Sequence, residues 1–356
     1  MGKIIKRKYG SDKLFFFCSE SATSTVIGAV LLLGIIFSVL CIVRTEYVPE
    51  WKNEAEYSHM DDVWEDMADL KSKIDMMSIV LVSNSNPSDT SYSDTSSSDT
   101  NVSDTNASDT NASDTSTSDS GSLSSQPVVS IPFHMGGGNV PFIGPIKSSG
   151  TLAVNNEKFL MAIKVSPTTG TESPFYKSIN CGTITYRSQN NYYVDQVFSY
   201  EGGALILKQK EQTVMMLYPS ICFSRTSTNE YDVSINTVKI FKDKCAPSEA
   251  ISSNDRCSLR LTGLEYNPLY DSDKDNLEGI DNFTLTIYTK YPEAWEPYLR
   301  KVMKDAGMNQ DDYTLEPGDS KSSLYLTFPS ESSTSGLKRL YLSETLVKAE
   351  LGIGLS

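Results

Sequence analysis

The sequence predicts an α+β protein. It reads as an N-terminal transmembrane and amphipathic helix, a disordered linker, and a β-rich, sandwich-like domain carrying one helix between late strands. Three observations predict this order. Residues Ala22 to Val43 are uncharged and mostly apolar, Asn84 to Gln126 form a Ser/Asp/Thr repeat, and from Val128 onward apolar residues alternate with polar ones at period two.

The first element is a basic leader, residues 1–21, with Lys3, Lys6, Arg7, Lys8 and Lys13. The apolar run 22–43 follows; about 22 residues at a 1.5 Å rise reach roughly 33 Å, enough for a bilayer core. Only Arg44 and Lys52 lie close on its far side, so the positive-inside rule keeps the N-terminus cytoplasmic and the remainder outside the cell. The run is longer than the apolar region of a signal peptide, and Cys41 to Glu46 offers no A-x-A cleavage pattern, which favours a retained single-pass anchor in membrane lipid.

Ala22-Thr23-Ser24-Thr25-Val26-Ile27-Gly28-Ala29-Val30-Leu31-Leu32 resembles the N-terminal segment of archaeal type IV pilin-like proteins, where a short basic leader precedes an A-x-S-x-V-I-G-x-x-L-L stretch. The resemblance covers under a tenth of the chain. It implies a leader trimmed by a prepilin peptidase, with trimming after Gly10 or near Ser19-Glu20-Ser21 both open. It also implies an apolar helix that anchors the protein or packs with similar helices of pilin-like subunits.

Val48-Pro49-Glu50 reads as the start of a second helix, residues 49–82, because Pro suits the first turn and Glu complements the positive end of the helix dipole. Met60, Val63, Met67, Leu70, Ile74 and Met77 recur at a spacing of three and four, with Asp61, Asp62, Glu65, Asp66 and Asp69 on the other face. So narrow a seam suits a coiled-coil partner or docking onto the protein's own β domain, as in pilins; methionines specify partners poorly, which favours the second.

The linker, 84–126, repeats Ser-Asp-Thr every five residues from Ser88 to Thr115, with a degenerate Ser118-Asp119. It has no Lys or Arg and almost nothing apolar, so it cannot bury a core and is expected to be a disordered spacer lifting the domain from the membrane. Its seven Asp account for half of the formal charge of −14. Asn101, Asn106 and Asn111 each head an N-glycosylation sequon, and Asn282 heads a fourth at the start of a strand.

In the domain 128–356, Phe159, Met161, Ile163 and Val165 share a strand face, as do Phe283, Leu285 and Ile287, and Leu324, Leu326 and Phe328. Lys208 to Gln212 separates two apolar runs as a hairpin would. Trp295, Tyr298, Leu299, Val302, Met303 and Ala306 fall at helical spacing between Pro292 and a stopping Gly307. Outside the cell, the four cysteines Cys181, Cys222, Cys245 and Cys257 suggest disulfides. Cys245 and Cys257 bracket a short polar loop, leaving Cys181 and Cys222 to pair between strands. Zinc is the weaker alternative, because no C-x-x-C spacing exists and both histidines lie elsewhere. Cys18 and Cys41 read as free thiols at the membrane boundaries.

Candidate chemistry is sparse. His134-Met135-Gly136-Gly137-Gly138 is like the oxyanion segment of esterases, but no G-x-S-x-G turn or late histidine accompanies it, so a flexible connector is expected. Asp271, Asp273 and Asp275, with Glu278, alternate as in a calcium loop; without Gly at position six or Glu at position twelve, a solvated acidic turn is the default and calcium the only cofactor to weigh. A chain this acidic, without an external basic patch, excludes nucleic acid as a partner. The expectation is a non-catalytic, pilin-like surface protein in envelope structure, adhesion or surface recognition, with an unknown surface ligand. The alternative is a tethered extracellular domain that binds calcium or carbohydrate, or acts as an enzyme.

Overall fold

The computed structural model describes residues 20–85, 126–140, 143–168, 174–242, 250–275, 279–318 and 322–353. The chain divides into two compact units, Met1–Asn53 and Glu54–Ser356. In the first unit, helix α1 (Glu20–Ile42) exposes Val30, Leu31, Ile35 and Phe37, and it is long and apolar enough to cross a membrane. A π-helical turn, Val43–Tyr47, precedes α2 (Val48–Ser85). The expected fresh start at Pro49 is therefore corrected: the backbone is already helical there. Pro49 lacks an N–H and its ring crowds the carbonyl four residues back. The wider turn, in which the Val48 N–H bonds to the Val43 carbonyl, makes room.

The second unit is built on three large sheets, their strands numbered in chain order. The central sheet runs β1 (Val128–His134), β14 (Arg256–Asp271), β18 (Gly336–Ile353), β12 (Glu230–Phe241), β11 (Ser220–Arg225). Within it β12 and β18 are parallel, from Glu230 opposite Gly336 to Phe241 opposite Lys348, and the other pairs are antiparallel. A six-stranded sheet runs β10 (Gln212–Leu217), β9 (Ala204–Gln209), β8 (Gln196–Glu201), β7 (Thr183–Gln189), β4 (Ser149–Val154), β13 (Ala250–Ser253). The third runs β16 (Thr314–Pro317), β17 (Ser323–Phe328), β15 (Ile280–Tyr288), β5 (Leu160–Pro167), β6 (Phe175–Asn180). A small ladder joins β2 (Asn139–Val140) to β3 (Gly144–Pro145). The hairpin expected near Lys208 to Gln212 is β9–β10, turning at Lys210 with φ 54°.

Two apolar cores share the central sheet, and side-chain parity shows how. On β12, Tyr231, Val233 and Ile235 enter one core, while Val238 and Ile240 enter the other. A strand presents alternate residues to opposite faces, so the change from odd to even positions moves burial to the opposite side of the sheet. On β18, Leu340 and Leu342 enter the first core, and Val347 and Ala349 the second. The first core holds β5, β15, β17 and helix α4 (Pro292–Asp305), with Trp295 fully buried and stacked 5.4 Å from Phe159. Gly307, at φ 79°, ends that helix as expected. Between β14 and β15 lies only a single turn, α3 (Ser272–Asp275), among the described residues.

Candidate functional site

The second core is closed by α2. Met60, Val63, Met67, Leu70, Ile74 and Met77 are all nearly or fully buried there, against Ile131, Phe133, Ile184, Phe198 and Leu259 of the sheets. Burying each such side chain stabilises by about 1.5–3 kcal/mol, so the seam is part of the domain's own core. Of the two partners the spacing allows, the helix has taken its own β domain.

Polar groups fix the helix in this seat. Glu56, with no exposed surface, accepts backbone N–H groups from Asn191, Tyr192 and Tyr193 at 2.6–3.1 Å. The two histidines, 75 residues apart, come together: His59 Nε2 donates to the His134 carbonyl at 3.2 Å. His134 in turn donates its backbone N–H and Nδ1 to Asp66 at 2.8 and 2.9 Å. Burial lowers the His59 pKa, and burial raises that of Asp66 against the pull of its His134 hydrogen bonds. Of these residues, Asp66 was placed by the sequence pattern on the helix face opposite the seam.

The Gly-rich segment after His134 is not a flexible connector. Met135 is fully buried, the Gly137 N–H donates to Ser148 Oγ at 2.7 Å, and a Cβ on Gly136 would collide with the backbone of Asn254. The Nδ1 of His134 is taken up by a carboxylate on α2.

At the acidic turn, the Arg339 guanidinium binds Asp271 at 3.1–3.3 Å and Asp273 at 3.1 Å. Positive charge facing those carboxylates thus comes from β18, and Lys274 of the turn itself stands 4.0 Å from Asp271. The Asp275 side chain and Glu278 lie outside the described residues. Among the described residues no cluster of three metal-ligating side chains forms.

The Cys181–Cys222 bridge is not formed. Cys181 is buried in the first core, 3.3 Å from Thr237 Oγ1, whereas Cys222 points to the exposed face of β11. Burial pushes the Cys181 thiol up to about 12. Cys257 is a buried free thiol on β14, and its expected partner Cys245 lies outside the described residues, as do Cys18, Asn101, Asn106 and Asn111. Cys41 is exposed and free. Asn282 is half-buried on β15, its amide donating to Asp281 at 2.9 Å.

An electrostatic feature missed in the sequence joins two carboxylates. Glu157 receives Arg187, Lys290 at 2.8 Å and the Tyr291 hydroxyl at 2.9 Å. Burial opposes its charge, yet these hydrogen bonds and cations hold it below the usual range. Glu201 accepts Thr289 Oγ1 and Trp295 Nε1, both at 2.6 Å, and burial raises it to about 7. Two carboxyls pushed apart in this way can serve as an acid and base pair. Glu201, however, is only 1% exposed, so no substrate atom reaches it, and its bond from Trp295 ties α4 to β8.

Among the described residues, cavities border α2 at two places. One, of about 670 Å³, lies beside its C-terminal turns, where the Tyr266 and Tyr341 hydroxyls meet at 2.6 Å; its one carboxylate, Asp75, is bound by Lys71. The other, of about 180 Å³, is walled by Tyr57, Trp64, Tyr193 and Phe198. No protein-family model, curated protein or solved structure matches the chain.

The Ser/Asp/Thr repeat lies outside the described residues from 86 to 125, but its flanks are placed. A Cβ on Gly263 of β14 would stand 2.9 Å from Pro127 and 3.1 Å from Leu81, and the Gly263 N–H bonds to the Pro127 carbonyl. Both ends of the repeat therefore attach at one place on one body. The covalent path from α1 to the domain runs through residues 43–54, so the repeat does not set the domain's distance from α1.

Proposed function

We propose that this chain is a non-catalytic, single-pass cell-surface protein of the pilin-like kind, with its N-terminus cytoplasmic and its strand-rich domain outside. Its role is in envelope structure, adhesion or surface recognition. The observation that carries this reading is the pairing of an uncovered apolar helix, α1, with an amphipathic helix, α2, seated in the β domain's core. That is the layout the resemblance implies for an anchored or filament-forming subunit. The seam of α2 is occupied internally, so contacts with similar helices fall to α1.

Protease shaving and shearing test the reading together. Protease added to spheroplasts should digest the strand-rich domain while sparing an N-terminal tag, and sheared surface filaments should contain the protein as a minor component or not at all. Protection of the domain would refute the topology. Filaments made mainly of this chain would refute the minor-component role.

A further inference from the structure

We infer that the cavity between α2 and the face of β8 and β9 that packs against it is a binding site for a small organic cation of the quaternary ammonium class. This goes beyond the anchoring role proposed above and does not depend on it. The cavity, about 180 Å³, exceeds what a single ordered water requires. Its walls are aromatic on several sides. Tyr57 and Tyr193 stand 5.5 Å apart at 75°, the corner of a box, and Trp64 and Phe198 form a second aromatic pair with centroids 6.2 Å apart.

The polar groups decide the ligand's charge. Asp61 sits at the lining, exposed and without a cationic partner among the described residues, and no Lys, Arg or His lines the space. Aromatic faces attract a cation through their quadrupole, and most effectively one whose hydration shell is weakly held. A metal ion would need several oxygen ligands, which two tyrosines, one carboxylate and one amide do not supply here. A sugar would want one open stacking face and several hydrogen-bonding partners, whereas this space is a corner with few polar groups. Gln196 is 8% exposed, and its side-chain amide has no partner among the described residues, so it is placed to bond a hydroxyl or carboxylate carried by the cation.

The site is also pre-formed. Glu56, one residue before Tyr57, grips the backbone N–H of Tyr193 at 2.6 Å, so the helix and loop walls are held together before any ligand arrives.

The test uses the full-length protein in phosphatidylglycerol vesicles, which supply neither sugar nor quaternary ammonium. Choline chloride is titrated at constant ionic strength and followed by tryptophan fluorescence and calorimetry. Its uncharged isostere, 3,3-dimethylbutan-1-ol, is titrated alongside. Saturable choline binding is expected, with the isostere weaker by about tenfold or more. Tyr57→Leu and Asp61→Asn, both at exposed positions, should each weaken choline by about tenfold while leaving the thermal midpoint unchanged. Asp69→Asn, elsewhere on α2, should have no effect. If phosphatidylcholine placed in the vesicles competes, the source is a lipid headgroup; if it does not, the source is a soluble cation, and either supports the site. Equal affinity for the isostere, no saturable choline binding, or binding of methyl glucoside in choline's place would overturn it.

Discussion

Replacing Glu201 by Gln should stabilise the strand-rich domain at pH 8 and leave it nearly unchanged at pH 4. In the fold, burial raises this carboxyl to about 7 from an ordinary 4.5, so the folded state holds its proton more tightly than the unfolded chain. The resulting stabilisation is fully present below pH 4.5, declines as the unfolded carboxyl ionises, and is gone once pH passes the folded value near 7. A difference of about 2.5 units at 1.36 kcal/mol each corresponds to about 3 kcal/mol across that window. Gln keeps an oxygen for Thr289 and Trp295 and carries no charge at any pH. Urea unfolding of both proteins, followed by fluorescence at half-unit steps from pH 4 to 8, gives the difference curve directly. The depressed pKa of Glu157 contributes with the opposite sign, and because both proteins contain it, it largely cancels. Parallel stability curves, or a variant less stable at pH 8, would show that Glu201 is held as a carboxylate and refute the argument.

Three further outcomes follow from the helix seat and the thiols. Glu56→Ala should cost about 3 kcal/mol, because it removes the buried carboxylate that accepts three backbone N–H groups; a thermal shift under one degree would contradict this. Leu70→Ala should cost about 2–5 kcal/mol, and Met67→Asp or Leu70→Asp should unfold helix and sheets together, seen as joint loss of helical and strand circular dichroism. A domain left folded with a detached helix would instead make the seam peripheral. In the native protein iodoacetamide should modify Cys222 well before Cys181 or Cys257, as peptide mass spectrometry would show; equal rates would contradict their burial.

The elements fixed by periodicity were legible before the fold. The seam from Met60 to Met77, the three alternating strand faces and the amphipathic α4 are local patterns, and each is buried where its pattern placed it. What the chain brings together over long separations was not. Glu56, His59 and Asp66 look like ordinary charged helix surface, because their partners Asn191 to Tyr193 and His134 lie far along the sequence. Glu157 and Glu201 are likewise lone acids in strand-rich sequence, joined only by residues near α4. An even cysteine count implied bridges, but Cys181 is buried in the first core just after β6, whereas Cys222 lies on the exposed face of β11. The change of parity along β12, from Ile235 to Val238, was readable and is where one sheet begins to serve two cores.

The joint attachment of Leu81 and Pro127 at Gly263 frees the repeat from any duty as a ruler. Closing a longer loop between fixed ends costs only about 0.6 kcal/mol for each doubling of length. Five-residue units could accordingly be gained or lost by copying errors, altering how much acidic, sequon-bearing chain lies between Leu81 and Pro127 while the folding of the domain stays nearly constant. Variation in copy number would then be hardly felt by the domain that carries it.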